Sequence, residues 1–519
     1  MAANIVITVV LGGFIMLLVH LWNLAILKPK LLRAKLQRQG IRGPSPSFLL
    51  GNIPEINRLQ LRLHSSTPPT ATEDILEAIA HDWPSSLFPH LEQWKNEYGP
   101  VFVYSTANMQ RLYVTDVELV KEIRMSTSLS LGKPSFLAKY LGPLLGRGII
   151  SSNGSIWEHH RKTIAPELYM EKVKGMVNLM VDSTTSMLRT WERRIGHEGG
   201  IAVITIDEDL RSLAVDIISR ACFGSDYSQG EEIYLKLRTL QTIMSKRNFG
   251  IPGIRFLPTK TNRNIWKIEK EINSMILKVL KQRTEESYEK DLLQIILEGA
   301  ESCNEDDDPS IKVSSDKFVV DNCKNIYFAG QATTAITASW SLMLLAAHPD
   351  WQARARAEVL EICGNKPPDA DKLRDMKTLN IVIQETLRLF PPTPLAMREA
   401  LEDIKFKDIT LPKGIIMEIP IPVLHRNREL WGLDAHKFNP ERFAHGVLGA
   451  CKNPQAYIPF GVGSRVCVGQ HFAMTELKVI LSLILSKFCF SLSPAYRHSP
   501  ASRLIVEPEH GVSLRLWSA

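Results

Sequence analysis

The first 27 residues of the chain contain no Asp, Glu, Lys or Arg, and Ile5 to Leu27 reads IVITVVLGGFIMLLVHLWNLAIL, an apolar run broken only by Thr8, His20 and Asn23. Hydrocarbon offers a peptide backbone no hydrogen-bond partner, so a run of this length satisfies itself as a helix, and about 20 residues cross a bilayer. A signal peptide would show a shorter apolar core, a basic start and a small-residue cleavage site, and none is evident. The run is therefore read as an uncleaved anchor. Directly after it, KPKLLRAKLQRQGIR carries Lys28, Lys30, Arg33, Lys35, Arg38 and Arg42 with no acid, which places this flank on the cytoplasmic side. Those six account for most of the formal net charge of +7, so the remainder is nearly neutral and the chain is no general nucleic-acid binder. A basic nucleic-acid arm is the weaker alternative, because the neighbouring apolar run explains the cluster as a membrane stop. Gly40, Gly43, Pro44 and Pro46 then mark a short, stiff connector. The division expected is an anchor over 1–27, a basic and Pro/Gly-rich linker over 28–46, and a body over 47–519.

A chain of 519 residues exceeds the size of one simple core, so several packed sub-regions are expected. The seven cysteines, odd in number and scattered from Cys222 to Cys489 without short spacings, give neither a disulfide framework nor a zinc site, and a reducing compartment follows. Short β-type runs occur at 101–105, 111–115 and 414–421. Helical periodicity dominates elsewhere, at 171–194, 208–222, 265–288, 318–347, 351–363, 378–389 and 472–488, so the chain reads as mainly α with a minor β-sheet region. The acidic stretch ESCNEDDDPS at 301–310 reads as a solvated turn. No internal repeat is present. Gly461-x-Gly463 lacks the third glycine and the strand-turn-helix setting of a nucleotide-binding loop. Asn153-Gly154-Ser155 matches a glycosylation sequon, which stays unmodified on the cytoplasmic side.

The densest local pattern is FGVGSRVCVG at 460–469. Cys467 could be core filler, nucleophile or metal ligand. A filler needs no flanking Gly463 and Gly469, residues usually kept for positive φ or close approach. A nucleophile needs a base, and the nearest candidate, His471, falls in the first turn of the next helix. As a ligand the cysteine makes better sense: glycines let backbone amides face the sulfur, and the helix beginning near Gln470 points its positive end there. Arg465 suits an anionic group on the same cofactor. One thiolate with arginines describes haem better than zinc or an iron–sulfur cluster, which need more cysteines.

Phe460-x-x-Gly463-x-Arg465-x-Cys467-x-Gly469 resembles the haem-binding signature of the cytochrome P450 superfamily, the haem-thiolate monooxygenases, and the resemblance extends from Gly43 onward. It implies a single, mainly helical haem domain behind the transmembrane helix, with Cys467 as the axial iron ligand and Phe460 beside the sulfur. Glu385-x-x-Arg388, at helical spacing in IVIQETLRLFPP, reads by itself as an exposed ion pair worth less than about 1 kcal/mol, or as a buried one given Ile383, Leu387, Leu389 and Phe390 around it. The resemblance adds Arg442 as third member of a structural triad holding the cysteine loop. It also assigns Trp157 and Arg161, one helical turn apart in IWEHHRK, and Arg398 to the haem propionates alongside Arg465, where composition alone leaves each arginine a solvated charge.

FAGQATTA, within the long helix at 318–347, resembles the family's oxygen-binding helix. Ala329, Gly330, Thr333 and Thr334 fit its pattern, but Ala332 stands where the family has an acid. Dioxygen cleavage requires two protons, and Thr333 can bond back to the carbonyl four residues earlier, opening the helix beside Gly330, and relay a proton through its hydroxyl. Ala332 cannot titrate and Gln331 only hydrogen-bonds. Two mechanisms stay open: a monooxygenase with leakier proton supply, fed by some other acid or a water chain, or a haem-thiolate isomerase or dehydratase needing no external electrons, against which the retained Thr333 argues.

No flavin or nicotinamide motif is visible, so the resemblance implies electrons from NADPH through a separate reductase, with O2 as co-substrate, at the cytosolic face of the endoplasmic reticulum. Arg161 and Lys162 lie on a plausible reductase-docking helix. The segments 136–153, 249–258 and 391–397 fall where family members line the pocket, and all are apolar, which favours a lipophilic substrate. The 249–258 stretch also suits a dip into the membrane. SSLFPHLEQWKNEYGPVFVYST, RGIISSNGSIWEHHRKTIAPE, VVDNCKNIYFAG and ACKNPQAYIPFGVG resemble a plant branch oxidising polycyclic terpenoids, either gibberellin-type diterpenoid acids or pentacyclic triterpenoids. The triterpenoid is favoured, with successive oxidation of one methyl. A non-enzymatic, membrane-anchored haem- or sterol-binding protein is the remaining alternative.

Overall fold

The computed structural model describes residues 2–65, 79, 82–224, 227–245, 256–286, 291–305, 314–364 and 366–519. The apolar run forms helix α1, Ala2–Trp22, which passes through one π turn, Asn23–Leu27, into helix α2, Lys28–Gln37. The stretch Asn4–Gln37 is long and apolar enough to cross a membrane, and none of its apolar window is buried against protein. The first part of the expected connector is thus helical. Pro29, Arg33 and Leu36 of α2 are buried on the body, and the Arg33 guanidinium donates to the carbonyls of Gly43 at 3.0 Å and Pro44 at 2.6 Å. Lys28, Lys30, Lys35, Arg38 and Arg42 stay exposed. Gly43 is there because a Cβ would stand 1.9 Å from the Val103 carbonyl oxygen, so the connector lies flat on the first strand.

That strand, Val101–Thr106, pairs antiparallel with Met109–Val114. Met109–Val114 runs parallel to Ile416–Pro420, which pairs antiparallel with Leu395–Ala400, and Leu131–Gly132 closes the far edge. The strands Val101–Thr106 and Ile416–Pro420 are buried on both faces over most of their length, which suits their near-continuous β-branched, aromatic and aliphatic residues. A second, three-stranded sheet joins Ile201–Thr205, Ser513–Ser518 and Phe488–Leu492.

Helices make the rest. The longest, α5, spans Ser315–Ala347 and is capped by Ser314, whose hydroxyl accepts from Lys317 N–H at 3.3 Å. It is buried nearly all round, between α4 (Asp207–Phe223), α6 (Lys377–Leu389) and α7 (Gln470–Lys487). Such encirclement explains why α5 shows no polar stripe in sequence. The helical run at 171–194 divides at Met176 into Met170–Gly175 and Val177–His197. The helices Tyr227–Ser245 and Leu292–Glu305 complete the pattern. The latter corrects the expectation of a turn from 301: its Ala- and Glu-rich end continues the helix to Glu305, and 306–310 lie outside the described residues. Of the apolar stretch at 249–258, residues 249–255 are outside them too, while Phe256 and Leu257 are exposed.

Candidate active site

The loop before α7 is a tight coil. Gly461 and Gly463 take φ of +84° and +66°, and a Cβ at Gly463 would stand 3.1 Å from the Ser126 carbonyl oxygen. Gly461 N–H donates to Ile458 O at 3.0 Å, and Cys467 N–H donates to Phe460 O at 2.9 Å, which closes the coil between the backbones of Phe460 and Cys467. Gly469 departs from expectation: its φ is −91°, and a Cβ there would meet no protein atom within 4 Å. Neither backbone strain nor protein crowding accounts for that glycine. The Cys467 side chain lies deep in the fold and is nevertheless exposed, so its open face borders an internal space. Burial pushes the thiol pKa up, and the Gly469 N–H, Arg161 and Lys133 pull against it without prevailing. The coil by itself does not hold the sulfur as a thiolate; a bound metal cation would.

Cations gather around this sulfur. From helix α3 (Gly154–Ile164), Arg161 donates to Val466 O at 2.6 Å. Arg398 donates to Val462 O at 2.7 Å. Arg465 donates to Ser152 O and to Asn153 Oδ1, both at 2.8 Å, and its guanidinium lies 3.9 Å from the centre of the Trp157 ring. The fourth cation, Lys133, is absent from the sequence reading. Burial beside Arg398 and Arg465 pushes its pKa down to about 7. Lys133 reaches the site only because Leu131–Gly132 pairs with Glu399–Ala400, next to Arg398. Nothing in LGKPSF announces that pairing. Asn153 fixes the group: its side chain accepts from Lys133 N–H at 2.7 Å and donates to Lys133 O at 2.8 Å, so the sequon asparagine is committed to packing. No carboxylate among the described residues pairs with any of the four cations.

Behind the coil, Glu385 and Arg388 of α6 form a fully buried pair with bonds of 2.6 and 2.7 Å. Arg442 sits with them, but its Nε is 3.8 Å from Glu385 and its short ion pair, 2.9 Å, is with Asp434. His425 extends the support: Nε2 accepts from Ile458 N–H at 2.9 Å, which leaves the ring proton on Nδ1 to donate to Arg388 O at 3.2 Å. The sequence reading missed this histidine.

On α5, Thr333 Oγ1 donates to Ala329 O at 2.8 Å, and Thr337 Oγ1 donates to Thr333 O at 2.8 Å. Within this enclosed helix Ala329 is exposed and Phe328, Gly330 and Thr333 are half-buried, so one face is left open mid-span. Gly330 is required for a different reason than an opening: a Cβ would stand 2.8 Å from Ile218 of α4. Ala332 and Gln331 are buried. Before this face, Asp321, Asn322 and Asn325 accept from the N–H groups of Arg147, Ile149 and Ile150 at 2.8, 3.0 and 2.7 Å, which fastens the 136–153 segment to α5. Arg161 is turned inward by its bond to Val466, and the exposed Lys162 pairs with Glu158 at 2.9 Å.

Among the described residues no group of three or more His, Cys, Asp or Glu could hold a metal ion. A lone cysteine set among cations suits a metal that brings its own anionic macrocycle. Residues 79–514 match the family model for cytochrome P450. The chain is 50% identical over 505 residues to cytochrome P450 714C2 of Oryza sativa subsp. japonica, covering 96% of this chain and 95% of the relative. It is 44% identical over 524 residues to cytochrome P450 714A2 of Arabidopsis thaliana, covering 99% and 98%, and 43% identical over 522 residues to cytochrome P450 714B3 of Zea mays, covering 99% and 96%. The chain belongs to the cytochrome P450 family, in its plant branch. It is a haem-thiolate oxidoreductase of the monooxygenase class, served by O2 and a redox-partner reductase.

Proposed function

We propose that the Cys467 sulfur would hold the haem iron, with Phe460 packed beside it, and that Lys133, Arg161, Arg398 and Arg465, together with Trp157, would hold the haem propionates. The observation that carries this is the set of four enclosed cations with no protein carboxylate, placed around a cysteine whose face is open. Gly469, with space where a side chain would be, leaves room for the porphyrin against the coil. Bound there, the haem supplies dioxygen activation. The chain's own part is positioning: Glu385, Arg388 and Arg442 brace the coil through His425, and the Thr333 hydroxyl stands at the open face of α5 to pass protons. The purified, reduced protein exposed to carbon monoxide is expected to give the red-shifted band of sulfur-ligated porphyrin. A Cys467→Ala protein that retains the pigment and that band would overturn the assignment.

The substrate proposed is a lipophilic polycyclic terpenoid, a pentacyclic triterpenoid in preference to a gibberellin-type diterpenoid acid, oxidised repeatedly at one methyl. Support comes from the apolar segment 136–153, whose Phe136, Leu137, Leu141 and Leu144 are turned inward, and from the likeness of the quoted segments to terpenoid oxidases. The setting proposed is the endoplasmic reticulum membrane with the haem domain, 47–519, on the cytosolic side and electrons arriving from an NADPH-dependent reductase. The support is the exposed basic flank that follows α1. Microsomes containing the chain and reductase, fed each scaffold in turn, test the substrate: product from neither scaffold overturns the class.

A further inference from the structure

A cavity of about 490 Å³ lies between the 136–153 segment, the helix Lys260–Glu286 and the first half of α5, and the site described above makes no use of it. Its α5 wall is Lys317, Val320, Asp321 and Lys324, the i, i+3, i+4, i+7 spacing of one helical face. Thr333 stands nine residues past Lys324, and at about 100° per residue it points to the opposite side. The helix itself therefore divides this cavity from the open face at Ala329 and Thr333.

Lys324 is the feature that packing does not explain. Its side chain is 1% exposed, yet the nearest carboxylate oxygen, Asp321 Oδ1, is 3.9 Å away, too far for a hydrogen bond. Asp321 is engaged elsewhere: its Oδ2 accepts from Arg147 N–H at 2.8 Å, and it packs so closely on Gly146 that a Cβ there would stand 1.9 Å from Oδ1. Burial pushes the Lys324 pKa down, and Asp321 and Glu269 pull it back only in part. Across the cavity, on Lys260–Glu286, Asn273 Oδ1 is buried with no hydrogen-bond partner. Methionine and leucine would fill these two positions at less cost.

Formal charge narrows what could satisfy them. Lys139, Arg147, Lys317 and Lys324 line the cavity with Glu269, Asp316 and Asp321, so four cations meet three acids and one positive charge is in excess. A monoanion neutralises that excess, whereas a metal dication would add to it and a phosphate dianion would overshoot it. Val320, Leu277 and Pro143 supply apolar wall, and the volume suits one small organic molecule. We propose that this cavity is a second ligand site for an amphiphilic monocarboxylic acid bearing a hydroxyl group. The carboxylate sits on the Lys324 ammonium, the hydroxyl donates to Asn273 Oδ1, and the hydrocarbon lies against the apolar wall. A ligand held there ties the 136–153 segment to α5 and to Lys260–Glu286 from outside, behind the inward-turned Phe136 and Leu144. The site stands independently of the haem-thiolate reading.

The probe is cholate, a hydroxylated steroid monocarboxylate, with its methyl ester as the uncharged counterpart, titrated by calorimetry into the full chain with haem in phospholipid discs. The acid is expected to bind about ten- to a hundredfold tighter than the ester, the scale of one hydrogen bond to a charged group. Lys324→Met is expected to erase that difference, and Asn273→Leu to weaken the acid about two- to tenfold, the scale of a neutral hydrogen bond. Binding is also expected to slow amide hydrogen exchange in Lys260–Glu286 while the visible haem band of the oxidised protein stays in place. Acid and ester binding alike to the parent, an unchanged preference in Lys324→Met, unaltered exchange in that helix, or a haem band displaced at the same concentration would each overturn the site. Should Lys324→Met fail to fold, the acid-to-ester ratio in the parent and the loss in Asn273→Leu decide.

Discussion

Arg388 gives Glu385 a two-pronged ion pair with no solvent contact, and its remaining donors go to the carbonyls of His425, Ala435 and Lys437, so all five guanidinium N–H groups are used. Removing one partner leaves an uncompensated buried charge, which costs about 3–5 kcal/mol. Glu385→Gln is expected to lose most folded, haem-loaded protein. Expression followed by the carbon monoxide difference spectrum checks it, and near-normal yield would contradict the buried-pair account.

Arg465 combines two directed hydrogen bonds with a stack on Trp157. Lysine reproduces the charge and neither feature. Arg465→Lys is expected to accelerate haem loss about ten- to a hundredfold, the scale of one or two hydrogen bonds to a charged group. Transfer of haem to an apo-acceptor protein measures that rate.

Lys133 should behave as part of the same cradle. Lys133→Met is expected to lower haem bound per chain, while Lys133→Arg restores it. Haem content against polypeptide mass reads both, and equal occupancy in all three proteins would remove Lys133 from the site.

Acid should loosen the body in a defined window. Burial holds His425 and His90 neutral, with pKa values pushed down to about 3 from 6.5. The unfolded chain takes up protons below pH 6.5 that these rings refuse, so their stabilisation is full above pH 6.5 and falls as pH drops toward 3. The slope is about 1.4 kcal/mol per pH unit for each ring. His90→Phe, which keeps a ring beside Trp94, is expected to shift the midpoint of thermal unfolding less between pH 7 and 5 than the parent does.

Deleting residues 2–27 removes the apolar helix and leaves five exposed cations. Most of the protein is then expected to leave the membrane fraction on washing with high salt, which screens the residual attraction to lipid headgroups.

Much of this site was legible in the sequence where the chemistry is local. The cysteine coil depends on residues within ten positions, and the Glu385–Arg388 pair on helical spacing, so both read directly. Lys133, Asn153 and His425 did not, because each acquires its role from a partner remote in sequence: a strand edge, an arginine over 300 residues away, a loop amide. The glycines show the converse. Gly330 and Gly469 fit a motif, but Gly330 answers to Ile218, and no protein contact or φ value explains Gly469. The helix over 28–37 and the continuation to Glu305 were hidden by charge, which suggests solvent in a linear reading even where one side of the helix is packed.

The bracket made by Arg33 has a mechanical consequence. The ten helical residues after Leu27 form a segment about 15 Å long, and the Arg33 bonds to Gly43 and Pro44 fasten its buried side to the chain that leads into the sheet. The anchor helix and the body are thus joined by a braced segment, not a loose tether.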